Sequence, residues 1–122
     1  MSQQLSHWIG GQHTAGSSGH SGTVYNPTTG EASATLPYAD ADDTRHAIAA
    51  ATEALPDWAA WTPLARARVL FRFKALLDEH HDELARLITA EHGKVLADAH
   101  GEVTRGMEVV EFACGIPHLL KG

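Results

Sequence analysis

At Asp40 the pattern of the chain changes, and no other feature limits its fold as strongly. Before Asp40, apolar residues stand in short runs cut by Gly, Pro, Ser and Asn. After it they recur at spacings of three and four, which puts them on one face of a helix. The pattern predicts strands and turns over 5–38 and helices over 40–120, that is, small β hairpins followed by several helices.

In the strand region, His7-Trp8-Ile9 and Gln12-His13-Thr14 flank Gly10-Gly11. A Gly-Gly link between short strand-like arms signals a hairpin, because both turn residues can take positive φ. Ala15 to Gly22 reads as a flexible loop by composition. Thr23-Val24-Tyr25 is a second strand candidate. Asn26-Pro27-Thr28-Thr29-Gly30 is a turn, with Pro fixing φ and Gly supplying the reversal. Ala32 to Leu36 is a third strand, ended by Pro37.

Asp40 is the expected N-cap of the first helix, with Asp42 and Asp43 in its first turn, where negative charge suits the dipole. Ile48, Ala51 and Leu55 share a face. Pro56 is expected to end that helix and open a short turn carrying Trp58 and Trp61. Pro63 starts the next helix, whose apolar stripe is Val69, Leu70, Phe73, Leu76 and Leu77. The segment 78–83 reads as a polar break. Leu84, Leu87 and Ile88 carry a further helix to Gly93, a natural C′ residue. In the last helix Val103, Met107, Val110 and Cys114 stand at four-three-four spacing. Gly115 stops it, with Pro117 two residues beyond.

The chain has 122 residues, about one domain by length. Its net charge of −6 argues against a nucleic-acid partner, which needs a basic surface. Cys114 stands alone, so no intrachain disulfide forms, which suits a reducing compartment. No apolar run approaches the length of a membrane span. Met1-Ser2-Gln3-Gln4 has neither the basic nor the apolar region of a signal peptide. A soluble cytoplasmic protein is expected.

No complete active site assembles from the motifs. Cys114 and His118 could pair as thiol and base, but Pro117 lies between them and breaks the helix they would share. A free cysteine is commonly a small buried apolar residue, and Cys114 is read so. His80 and His81 stand among four acids, yet adjacent helical side chains point about a hundred degrees apart and do not converge. Gly93-Lys94 lacks the upstream glycine and following Ser/Thr of a phosphate loop. Arg105 has two readings. It can be a surface arginine paired with Glu102 or Glu108 three residues away, or a planar fork for an anionic ligand. Spacing alone favours the first.

The residues also carry a resemblance. Trp8-Ile9-Gly10-Gly11, Asn26-Pro27-Thr28-Thr29-Gly30-Glu31, the run from Arg66 to Leu77, and Glu91-His92-Gly93-Lys94 resemble the start of an aldehyde dehydrogenase. The segment from Gly101 to Pro117 (GEVTRGMEVVEFACGIP) is similar to the CoA-acylating methylmalonate-semialdehyde dehydrogenase branch of that superfamily. The resemblance runs from about His7 to Gly122. Family members are several times longer. It therefore implies that 1–122 is the N-terminal part of the NAD-binding domain of an α/β aldehyde-dehydrogenase fold. The parallel dinucleotide-binding sheet would lie outside it, and the stretch would not be a complete domain.

For the whole enzyme the resemblance implies an NAD-dependent oxidation with CoA as co-substrate. A cysteine thiolate adds to the aldehyde, hydride leaves to NAD, the β-carboxylate is lost, and CoA takes the acyl group. Methylmalonate or malonate semialdehyde would give propionyl-CoA or acetyl-CoA, as in valine, thymine and inositol catabolism. The expected partners are the rest of the enzyme chain and a second copy, since the family forms homo-oligomers. Arg105 matches the family's arginine that holds the substrate carboxylate, and it is the single site residue assigned. No catalytic, cofactor-binding or metal-ligating residue is expected within the stretch, and the stretch alone is expected to be inactive. Two other readings stay open. One is a stand-alone helical interaction module derived from such an enzyme; the other is a small helical protein that binds metal through its histidines.

Overall fold

The computed structural model describes residues 3–120. The chain divides into two compact units, one reaching Trp58 and one starting at Ala59.

In the first unit, β2 (His7–Ile9) and β3 (Gln12–Thr14) pair antiparallel, with His7 opposite Thr14. Gly10 and Gly11 turn the hairpin at φ 61° and 77°, a conformation in which any side chain is strained. The rings of Trp8 and His13 meet edge to face across the ladder at 4.6 Å. A second sheet has the order β1-β5-β4. In it β4 (Ser21–Tyr25) runs antiparallel to β5 (Ala32–Pro37), and β1 (Gln3–Gln4) runs parallel to β5 on its other edge.

Between β4 and β5, Asn26 Oδ1 accepts from the N–H groups of Thr28 and Thr29 at 2.8 and 3.3 Å. Such side-chain bonds shape the turn locally. Gly22, in β4, leaves the place of its missing side chain to the ring of Tyr38. The loop expected over Ala15 to Gly22 is shorter than its composition implies, because β4 already begins at Ser21. β1 was not expected at all. Two glutamines carry no period, and their place in the sheet comes from β5, whose backbone pairs with both of them.

α1 (Ala41–Ala60) starts as expected at Asp40. The Asp40 Oδ1 accepts from the N–H groups of Asp42 and Asp43 at 2.7 and 2.9 Å. Asp43 Oδ2 in turn accepts from the Asp40 N–H at 3.1 Å, a reciprocal cap. The loop joins this knot: the Ser17 N–H donates to Asp43 at 2.9 Å and the Ser17 hydroxyl to Asp40 at 3.0 Å. The Asp43 N–H, followed by the Ser17 hydroxyl, holds the Asp40 carboxyl below its ordinary value. The Ser17 N–H, followed by that of Asp40, does the same for Asp43.

Pro56 does not end α1, contrary to the expectation. The helix continues to Ala60 with Pro56 inside it, so Trp58 belongs to its last turn. A proline forfeits one backbone bond and crowds the turn before it. Here that bond is the one to the Thr52 carbonyl, and a single turn of helix follows the proline. α1 buries none of its residues.

The second unit contains α2 (Pro63–Glu79), α3 (His81–His92), α4 (Leu96–Cys114) and α5 (Ile116–Leu119). Thr62 caps α2, its Oγ1 accepting from the Ala65 N–H at 3.2 Å, and Pro63 occupies the first helical position. The polar break expected over 78–83 narrows to His80. Asp78 and Glu79 continue α2, while Asp82 and Glu83 lie in the first turn of α3, where their charge suits the dipole. Gly93 ends α3 at φ 83°, its N–H donating to the Thr89 carbonyl at 2.8 Å. Gly115 ends α4 as expected. Pro117 does more than follow a stop, since it sits in the first turn of α5, where its missing N–H costs nothing.

The centre of this unit is made of small residues. Ala85 of α3 and Ala99 of α4 are fully buried and pack with Val103, flanked by Leu84, Ile88 and Met107. Ala67 of α2 and Cys114 of α4 are buried as well. The stripe expected on α2 is only partly used: Val69, Leu70 and Leu77 are half-buried, whereas Phe73 and Leu76 are exposed. The position that α2 buries, Ala67, lies outside that stripe.

Candidate functional site

Arg105 lies at mid-length on α4 and is exposed. A helix returns to the same face after three or four residues, which brings Gly101 and Glu102 beneath it. The Nη1 atom of Arg105 stands 3.6 Å from where a side chain on Gly101 would begin. At Gly106, next in the chain, an added Cβ would meet nothing within 4 Å. Glycine inside a helix costs about 0.5–1 kcal/mol relative to alanine, and α4 carries two of them on either side of Arg105.

Neither acid expected to orient Arg105 does so by direct pairing. Glu102 is bound to Lys94, with Oε1 and Nζ 2.5 Å apart and the lysine side chain 17% exposed. The hydrogen bond from Lys94 is the main cause that holds the Glu102 carboxyl below its ordinary value; the Arg105 charge adds a smaller push. Among the described residues no carboxylate lies within 4.0 Å of the Arg105 guanidinium. Lys94, seen in the sequence only as part of a Gly-Lys pair, is thus the strut between the α3–α4 turn and α4. Spacing gave no signal of this contact, because Lys94 stands outside the helix that it bonds.

Between α2, α3 and α4 lies an open apolar groove of about 360 Å³ lined by Phe73, Leu77, Leu87, Val103, Gly106 and Val110 among others; Arg105 is not part of its lining. Cys114 is buried and makes no disulfide. Its thiol sits in the helix contact, as a small apolar residue would. His80 Nδ1 pairs with Glu83 at 2.8 Å. His81 points elsewhere, toward His100 of α4, a residue that the spacing argument within one helix did not reach. The described residues include no strand, glycine-rich turn and helix arranged to cradle a dinucleotide. No cofactor contact or step is assigned to them.

Residues 13–122 match the aldehyde dehydrogenase family, and the chain belongs to that family. Among curated relatives it is 52% identical over 118 residues to malonate-semialdehyde dehydrogenase 3 of Geobacillus kaustophilus, covering 97% of this chain and 24% of that protein. It is 48% identical over 118 residues to the malonate-semialdehyde dehydrogenase of Pseudomonas aeruginosa, with the same two coverages of 97% and 24%. Among solved structures it superposes on methylmalonate-semialdehyde dehydrogenase from Oceanimonas doudoroffii with a TM-score of 0.93 at 49% identity, covering all of this chain and 25% of that one. A Sinorhizobium meliloti protein assigned to the same activity and solved with NAD gives a TM-score of 0.93 at 44% identity, over 98% and 24% of the two chains. The chain thus spans about a quarter of the length of these relatives. It shares their fold there: short strands and helices, with no large parallel sheet among the described residues.

Proposed function

We propose that this chain is the N-terminal part of an NAD-dependent, CoA-acylating dehydrogenase for malonate or methylmalonate semialdehyde, and that Arg105 holds the carboxylate of the substrate. The observation that carries the role of Arg105 is its state on α4. It is an exposed guanidinium with no carboxylate within 4.0 Å among the described residues, while Glu102 beneath it is bound to Lys94. A substrate that bears both an aldehyde and a carboxylate needs a cation at a fixed distance from the reacting carbon. A guanidinium on a rigid helix meets that need, because its fork donates to both carboxylate oxygens at once. Gly101 and Gly106 keep the helix surface beside it low, which suits close approach by a ligand or by another stretch of backbone. On this reading the nucleophile for the aldehyde lies in the remainder of the enzyme, and Cys114, buried among the described helices, is not it. Thiohemiacetal formation, hydride transfer and acyl transfer belong to the remainder of the enzyme, and the 122 residues alone produce no NADH.

The test is kcat/KM of the full-length enzyme for malonate semialdehyde and for propanal, which lacks the carboxylate. A partly desolvated Arg–carboxylate pair stabilises by about 1.5–3 kcal/mol, which is about tenfold to over a hundredfold in kcat/KM. Arg105→Leu lowers the value for the semialdehyde by that factor and leaves propanal nearly unchanged. Arg105→Lys restores part of the loss, since an ammonium lacks the fork. Equal losses on both aldehydes would mean a folding defect. No loss on either would make Arg105 a surface arginine.

A further inference from the structure

We propose that His81 and His100 form a binding site for a divalent transition-metal ion, with Thr104 and Asp82 holding the outer edges of the two rings. His81 opens α3 and His100 lies in the second turn of α4. Their imidazoles are nearly parallel, with planes 12° apart and centroids at 5.0 Å, and their Nδ1 atoms approach to 3.0 Å. Two nitrogens each about 2.05 Å from a common ion stand about 2.9 Å apart at a right angle and about 3.3 Å apart at the tetrahedral angle. The observed separation lies between these values.

Hydrogen bonding decides which nitrogens are available. The Thr104 hydroxyl donates to the His100 carbonyl at 3.0 Å, so its oxygen is left to accept from His81 Nε2–H at 3.2 Å. That fixes the tautomer of His81 and aims the Nδ1 lone pair at His100. A neutral His100 then has two choices, and each leaves a conflict. With its proton on Nδ1, its Nε2 lone pair faces the Asp82 carboxylate at 3.6 Å. With its proton on Nε2, two Nδ1 lone pairs face each other at 3.0 Å. A cation between the two Nδ1 atoms resolves the second arrangement completely. Each ligating ring then donates its other N–H outward, to Thr104 and toward Asp82, the usual support for metal-bound histidine. One donor atom from each of His81, Asp82 and His100 lies within 4.8 Å of the others, so the carboxylate also supplies compensating charge. Imidazole ligands with a carboxylate nearby suit borderline ions such as Zn2+, Ni2+ or Cu2+ rather than Mg2+ or Ca2+.

The experiment titrates Zn2+ into the 122-residue chain by calorimetry and by competition with a chromogenic chelator. The variants are His81→Ala, His100→Ala and Asp82→Asn, with His80→Ala as control, because His80 faces Glu83 instead. The proposal expects one ion per chain and a loss of affinity beyond about tenfold in either of the first two variants. It expects a smaller loss in Asp82→Asn and no change in His80→Ala. Far-UV circular dichroism with and without Zn2+ gives a second readout: the ion raises helix content or Tm in the parent chain and not in the histidine variants. If His100→Ala loses helix, His100→Gln replaces it, which keeps a polar side chain of similar reach without the imidazole. Absence of stoichiometric binding overturns the proposal, as does binding that survives removal of either His81 or His100. A loss in His80→Ala as large as theirs overturns it too, since it would mean diffuse capture by surface histidines.

Discussion

Up to Trp58 the described chain buries a single apolar side chain, Ala34; from Ala59 onward it buries Ala67, Ala85, Ala99, Val103 and Cys114. The two units are held together by different means. The first relies on backbone ladders and on the polar knot of Ser17, Asp40 and Asp43. The second relies on helices brought close by alanine, so that dispersion between backbones takes the place of large interlocking side chains. The contrast teaches that a shortage of buried bulk can be met by directed hydrogen bonds or by proximity, and that the two solutions fail under different perturbations.

The largest effect is expected where proximity is denied. Ala99→Leu forces three extra carbons and a branch into a fully buried position and should cost about 3 kcal/mol, the upper end for overpacking. Amide hydrogen exchange in α3 and α4 measures it; unchanged protection there would refute the close-packed account. Next comes the hairpin. Gly11→Ala introduces a Cβ at φ 77° with open space around it, so strain alone acts and the cost is about 1 kcal/mol, read from exchange in β2 and β3. A third substitution sharpens the comparison by going the other way. Gly106→Ala meets nothing within 4 Å and should stabilise the isolated chain by about 0.5–1 kcal/mol in urea melts. A loss would show that α4 needs that glycine within this chain.

The smallest effect is acid sensitivity. Asp40, Asp43 and Glu102 are held below their ordinary values by the hydrogen bonds they accept. The unfolded chain therefore binds more protons than the folded one as pH falls, and stability rises with pH in that range. Their contribution is complete above the ordinary carboxylate values of 3.8 and 4.5 and is lost as pH falls through the lowered folded values. Asp40→Asn should reduce this acid limb for the first unit, leaving the part due to Asp43, and leave the second unit's limb, which rests on Glu102, in place.

Much of this was legible in the sequence because local chemistry decided it. Gly10-Gly11, the cap at Asp40, the helix start at Pro63, and the stops at Gly93 and Gly115 each act within a few residues. What was not legible depended on distant partners or on length. Pro56 reads as a terminator, yet α1 runs one turn beyond it. Gln3 and Gln4 pair because β5 offers them an edge. On α2 the period located a helix but not the buried position, because Ala67 carries too little bulk to stand out in an apolar stripe. Arg105 was visible as a candidate, but the Lys94–Glu102 bond beneath it was not. Likewise His81 and His100 stand 19 residues apart on two helices and meet only in space.

The seating of Tyr38 against Gly22 has a consequence for how this chain can change over generations. The two positions are easier to change in one order than in the other. Tyr38 can shrink first and leave a harmless dent on an exposed edge, after which position 22 is open to alanine or larger. The reverse order sets a new methyl against the hydroxyl end of Tyr38, so the exposed tyrosine side chain must swing aside to admit it. While Tyr38 keeps this place position 22 suits glycine, and once Tyr38 is gone position 22 opens to a larger residue.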